Sequence, residues 1–250
     1  IDAVGDANGE SSKLRAGNAT YDQAAEKIEL KDNISVAISS PGEAGKPARF
    51  SDLTAASATA FLGEGGTADT KSVDRVEMFD NVNIVSRQGE DAPTRISSQY
   101  ALYQKPIDRF DLRGAVHIVT REDDRPTEVR ADNAVYEQPQ GRIHLTGNSS
   151  VTQASSLVQG GSIYAELNAA KKLKFAEVKD NGFIKQATAE RTTEVAGPRL
   201  TAAFDDGQVL TRATVAGSGT ASLTPANAAD YTRLSMSAGQ AITADFKGEG

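Results

Sequence analysis

A phrase of the sequence occurs twice. ADNAVYEQPQGRIHLTGNSSVT runs from Ala131 to Thr152, and a near copy, SQYALYQKPIDRFDLRGAVHIV, runs from Ser98 to Val119. From Tyr136 the chain reaches Leu145, Gly147 and Val151. From Tyr103 the same offsets give Leu112, Gly114 and Ile118, and from Tyr21 they give Leu30, Asp32 and Val36. A fourth copy overlays VEMFDNVNI (Val76 to Ile84) on IELKDNISV (Ile28 to Val36), with Phe61 as its anchor and GEGGTADT lengthening the turn. Weaker copies follow around Tyr164, Val178, Asp180 and Ile184, and around Phe204, Val215, Gly217 and Ala221. LSMSAGQAITADF reads as the first half of another unit, so the array is expected to stop within a repeat. A unit of roughly 25 to 40 residues cannot bury an apolar face alone, whereas a stack of such units can.

Within each unit the apolar period is two. Ile28, Leu30, Ile34, Val36 and Ile38 share one parity, as do Phe110, Leu112, Val116 and Ile118, and Ile143, Leu145 and Val151. The residues between them are mostly polar. Such alternation predicts half-buried strands, one face on a core and one in water. Gly147, Gly114 and Gly217 stand where other copies have Asp32, Asp80 and Asp180, residue types that share a tolerance for bulged or turning backbone. Each long run is therefore expected to bend there. Pro106 and Pro139 fall in the turn between strands, where a missing N–H does no harm. Segments Ser40 to Phe50, Gly63 to Asp74 and Asn168 to Leu173 read as turn insertions along one rim.

Composition sharpens this. Apolar residues make up 38% of 250, Trp is absent, and Phe with Tyr total 14, so small aliphatics must fill a thin core. The net charge of −7 argues against a phosphate-backbone binder, which would carry a basic stripe. With no cysteine there is no disulfide, thiolate metal site or cysteine nucleophile. No apolar run is long enough to span a bilayer. The polar opening IDAVGDANGESS reads as a disordered lead over residues 1–13, followed by one elongated domain over 14–250. Any targeting segment is expected to have been removed upstream.

Chemistry-bearing residues are sparse. His117 and His144, the only histidines, fall on the outward parity with no third ligand at metal spacing. GEGGTADTKS lacks the ending of a phosphate-binding loop and reads as a hairpin tip. REDDRP, from Arg121 to Pro126, reads as a solvated turn, since its carboxylate spacing matches no calcium loop. The triplets N-A-T, N-I-S and N-S-S read as turn and strand residues. No catalytic pair, metal site or cofactor is expected.

The pattern A-x-x-A-x-Y, a turn, an alternating strand, G-N and another alternating strand resembles the OstA-like repeats. ADNAVY…IHLTGNSSV is the best copy and AGNATY…IELKDNISV the next. These repeats occur in the LptA and LptC families and the periplasmic part of LptD. The resemblance covers roughly residues 14 to 246. It implies an all-β, repetitive antiparallel β-jelly roll (β-taco) with a hydrophobic groove. It also implies a periplasmic, non-enzymatic protein of lipopolysaccharide transport. Its partners would be lipopolysaccharide or a related lipid, and further jelly-roll proteins or a second copy joined by edge-strand addition. The chain is longer than a typical LptA and shows no anchor of the LptC kind. The residues expected to line the groove are Leu30, Val36, Met78, Ile84, Leu112, Val116, Ile118, Leu145 and Val151. Their alternation serves equally a closed core, as in a structural β-solenoid scaffold, or an open trough.

Overall fold

The structure is a computed structural model. It describes residues 1–7, 10–41, 47–64, 71–122, 125–168, 173–187, 189–205, 210–227 and 234–245. Among these residues every paired strand is antiparallel, and the one helical element is a 3-10 turn at Lys105–Ile107, with Pro106 in its first turn. The chain divides into two compact units, Ile1–Pro126 and Thr127–Gly250, where the sequence reads a single domain.

Unit 1 contains β1 (Asp2–Ala7), β2 (Glu10–Arg15), β3 (Asn18–Asp22), β4 (Lys27–Ser40), β5 (Arg49–Glu64), β6 (Lys71–Gln88), β7 (Thr94–Gln104) and β8 (Arg109–Glu122). β4 through β8 form a meander, each strand pairing with the next. β2 and β3 both lie on β4, one on each side of a break at Ala16–Gly17. Residues 1–13, read above as a disordered lead, instead hold β1 and most of β2. β2 meets β4 with Leu14 opposite Val36, so a polar segment is ordered by the backbone partners it finds.

Unit 2 holds all but the first two residues of β9 (Arg125–Glu137), and contains β10 (Arg142–Gln153), β11 (Ser156–Leu167), β12 (Leu173–Ala187), β13 (Arg191–Phe204), β14 (Leu210–Ala216), β15 (Gly219–Pro225), β16 (Leu234–Ala238) and β17 (Ala241–Asp245). β9 through β13 repeat the meander. β14 and β15 then share β13 as a partner, and β17 and β16 continue from them respectively.

Each long strand bends near its middle. The register shifts between Lys31 and Ile34, Phe79 and Val82, Arg113 and His117, Thr146 and Ser149, and Lys179 and Gly182. At these shifts two consecutive residues are left-handed: Asp32–Asn33, Asp80–Asn81, Gly114–Ala115, Gly147–Asn148 and Asp180–Asn181. Gly, Asn and Asp tolerate this conformation, which is why the position alternates among them. The bends are braced from outside. Asn18 Nδ2 donates to Asp32 Oδ2 at 2.6 Å, and Asn148 Nδ2 donates to Asp132 Oδ2 at 3.2 Å. The asparagines of two of the acceptor-like triplets, Asn33 and Asn148, are thus bend residues.

Inner positions, those on the buried parity, step by four across the bend in one strand of each hairpin: Leu30 to Ile34, Met78 to Val82, Leu112 to Val116, Leu145 to Ser149. In the partner strand they step by three: Ala58 back to Ala55, Ala101 to Ser98, Ala134 to Ala131. The extra residue in one strand is a β-bulge, and repeating it in every hairpin bends the sheet along one line. The A-x-x-A-x-Y phrase is the three-residue step itself, with Ala131, Ala134 and Tyr136 all on the inner parity. The register corrects two anchors. Ala60 and Ala165, opposite Val76 and Ala176, hold the place of Tyr136, whereas Phe61, one residue after Ala60, and Tyr164, one residue before Ala165, lie on the outer face. A one-residue slip exchanges faces, and there Arg75 places its guanidinium 3.7 Å from the Phe61 ring centre.

Candidate functional site

Burial is deepest beside the bend and falls off along both arms. Leu30, Ile34, Met78, Val82, Leu112, Val116, Leu145, Val178 and Leu200 are all 6% exposed or less. Of the nine residues expected to line a groove, Leu30, Met78, Ile84, Leu112, Val116 and Leu145 are buried, and Val36, Ile118 and Val151 are half-buried. Leu30, Met78 and Leu112 share one level across unit 1 through Ala58 and Ala101. Val36, Ile84 and Ile118 share the next level beyond the bend.

That second level was only partly visible in the sequence. In unit 1 it runs Leu14, Val36, Leu53, Ile84, Ile96, Ile118, each residue opposite the next. In unit 2 it runs Val129, Val151, Val158, Ile184, Val195, Ala221. All except Ile84 are half-buried. Ile184 falls within a repeat copy, whereas Leu53, Ile96 and Val158 lie on the partner strands, outside the repeated phrase. The partner strand carries the same period two, which could have found them.

A row of uncharged polar side chains follows further out. In unit 1 Ser51, Ser86, Thr94 and Thr120 lie there, with the Ser51 and Ser86 hydroxyl oxygens 3.1 Å apart and those of Thr94 and Thr120 3.0 Å apart. In unit 2 Gln153 Nε2 donates to Thr127 Oγ1 at 3.0 Å. On the other arm the inner row is Tyr21, Ile28, Ala60, Val76, Tyr103 and Phe110. Each unit therefore presents an apolar inner face flanked by neutral hydrogen-bonding groups.

Most charge is held on the outer face; Arg49, an exception, donates to Ser86 Oγ at 3.4 Å from the end of the polar row. Arg109 forks onto Asp111, with N–O distances of 3.0 and 2.8 Å. Lys27 Nζ sits 2.7 Å from Glu29 Oε1. Glu177 is nearly buried; burial raises its pKa, but hydrogen bonds from Lys179, at 2.7 Å, and Arg199 outweigh this and hold the carboxyl below its ordinary value. His144 lies on this face with Nε2 3.0 Å from Ser162 Oγ, and His117 is half-buried on the same parity. Among the described residues no three His, Asp or Glu side chains gather as a metal site. Two clefts of unit 2, about 740 and 420 Å³, share Phe183, Ala196, Thr220 and Ser237, which lie opposite one another on the outer face. The larger also touches Gly182, Gly197 and Gly219 at the inner corner, and the smaller touches Ala221 and Met236, which lie opposite each other in the apolar row. The centres of the GEGGTADTKS tip and the REDDRP turn, and most of the insertions within Ser40–Phe50 and Asn168–Leu173, lie outside the described residues.

Bent antiparallel hairpins stacked on an aliphatic inner face define a class of repetitive antiparallel β-jelly rolls. The family model described as LptA/(LptD N-terminal domain) LPS transport protein matches residues 42–171, just over half of the chain. The chain belongs to this family, and its hairpins are the OstA-like jelly-roll repeats that the sequence resembles. A role in lipopolysaccharide transport goes with that membership. Among solved structures, the chain is similar to LptH, the LptA homologous periplasmic component of the lipopolysaccharide transport device from Pseudomonas aeruginosa. The identity is 15%, covering 62% of this chain and 75% of that one, at a TM-score of 0.25. No curated protein matches the chain.

Proposed function

We propose that the chain is a periplasmic, non-enzymatic carrier that shields the acyl chains of lipopolysaccharide or a related lipid on its inner face. The observation that carries this reading is the in-register row Leu14–Val36–Leu53–Ile84–Ile96–Ile118. These side chains are apolar and contiguous, and all but Ile84 remain partly accessible. A closed core would bury them, as it buries Leu30 and Leu112. Covering a methylene is worth about 0.8 kcal/mol, so a row of this length holds a fatty chain without bond-making chemistry. The buried level beside the bend forms the floor, and the neutral polar row receives the ends of the chains. Hand-over to other jelly-roll proteins, or to a second copy, would proceed by strand addition at a sheet edge.

A photoreactive side chain at Ile118 should label lipopolysaccharide, and one at the adjacent outer position His117 should not. Equal labelling from both positions would count against the trough. Absence of any lipid, both in labelling and in native mass spectra after gentle extraction, would favour a closed structural scaffold instead.

A further inference from the structure

The two units differ in the size of the side chains on their inner walls. On the arm before the bend, the unit 1 wall carries Tyr103 and Phe110, whose rings stack with centres 4.5 Å apart. The Tyr103 hydroxyl donates to Asp108 Oδ1 at 3.4 Å, and Asp108 closes the 3-10 turn in a left-handed conformation, so the stack is held in place. The same level of unit 2 starts with Tyr136 and Ile143 and then runs through Ala165, Ala176, Ala202 and Ala213. On the opposite arm unit 1 presents Val36, Leu53, Ile84, Ile96 and Ile118, and unit 2 presents Val151, Val158, Ile184, Val195 and Ala221, with Met236 opposite Ala221 at the end of the row. Apart from Met236 these rows carry smaller side chains in unit 2, and past β10 the aromatic ring on this parity is Phe204, one level further out on β13.

We propose that unit 2 admits several acyl chains side by side, whereas unit 1 admits fewer, with the Tyr103–Phe110 stack as its constriction. This rests on the reading of the inner face as an acyl-chain trough. Alanine walls leave lateral space that several chains fill together. The ring pair reduces that space and favours one extended chain.

The test uses the full chain, a photoreactive side chain at Ile118 or at Ile184, and two probes: a single-chain lysophospholipid and a hexa-acylated lipid A. The lysophospholipid should label both positions. The hexa-acylated lipid should label Ile184 several-fold more than Ile118. Phe110→Ala should raise labelling at Ile118 by the larger probe, and Ala176→Phe should lower it at Ile184. Ala213→Phe serves as a second obstruction should Ala176→Phe fail to fold by circular dichroism. Equal labelling of both positions by the hexa-acylated lipid, or labelling that ignores these substitutions, overturns the size difference and leaves the trough standing. No labelling by either probe overturns the trough, and this inference with it.

Discussion

At the first inner position past the bend, unit 1 carries Ile34, Ala55, Val82, Ser98 and Val116. Unit 2 carries Ala131, Ser149, Gly160, Gly182, Gly197 and Gly219 there. On the near side of the bend unit 1 alternates Leu30, Ala58, Met78, Ala101 and Leu112, whereas unit 2 runs Leu145, Ile163, Val178, Leu200, Val215 and Ile242 after a single Ala134. Unit 1 thus fills its seam by setting large beside small across neighbouring strands. Unit 2 fills it along each strand, with large residues on one side leaning over glycines on the other. A Cβ added at Gly197 or Gly219 would lie 2.3 or 2.2 Å from Val215 Cγ1, and one at Gly182 would lie 2.9 Å from Leu200 Cγ. The same backbone bend accepts either distribution because only the total volume at the corner is constrained.

The largest expected effect comes from removing a residue that leans over a glycine. Leu200→Ala empties its own site and uncovers Gly182, so it should cost toward the upper part of the roughly 2–5 kcal/mol range for such truncations. Leu112→Ala, whose neighbours already carry side chains, should cost toward the lower part. Chemical denaturation of the two variants compares them, and equal losses would break the distinction between the seams. Next in size is overpacking. Gly219→Ala should destabilise by about 1–3 kcal/mol, and adding Val215→Ala should restore part of the loss. If the second substitution only deepens it, Val215 is not what fills the space above Gly219.

An electrostatic difference ranks third. Glu177 has a depressed folded-state pKa, so it stabilises above the unfolded carboxyl value. That contribution is lost as pH falls through the lower folded value. The corresponding position of unit 1 is Glu77, whose nearest cation is the half-exposed Arg75 at 3.5 Å. Glu177→Gln should therefore flatten the acid side of the stability profile below about pH 4.3 and cost about 1–2 kcal/mol at neutral pH. Glu77→Gln, which removes only the contact to Arg75, should cost less at neutral pH. Melting temperatures read across pH 3 to 7 separate the two, using roughly that unfolded reference range.

Much of this was legible in the residues, and the misses have physical reasons. Asp32, Asp80, Asp180, Gly114 and Gly147 mark the bends because a left-handed backbone restricts side-chain choice there. Phe61 and Tyr164 misled because an aromatic ring near the right spacing resembles an anchor. Alternation in a strand makes one residue of offset the difference between inside and outside. Depth could not be read at all: Leu112 and Ile118 occupy the same parity, and only distance from the bend makes one buried and the other half-exposed. The order of β2 depends on β4, more than 20 residues away in sequence, which local composition does not report.

The smallest effect tests the bend itself. Unit 1 has Ala115 at φ +48°, where unit 2 has Asn148 at φ +46°. Alanine gains nothing in that region, because its Cβ crowds the following carbonyl. Asn148 both tolerates the conformation and donates to Asp132. Ala115→Asn should therefore stabilise by about 0.5–1 kcal/mol, and Asn148→Ala should destabilise by about 1–2 kcal/mol, since it loses a hydrogen bond as well. The pair is read as opposite shifts in denaturation midpoint. Were Ala115→Asn neutral while Asn148→Ala stayed costly, the brace to Asp132 rather than backbone tolerance would be the feature that holds these corners.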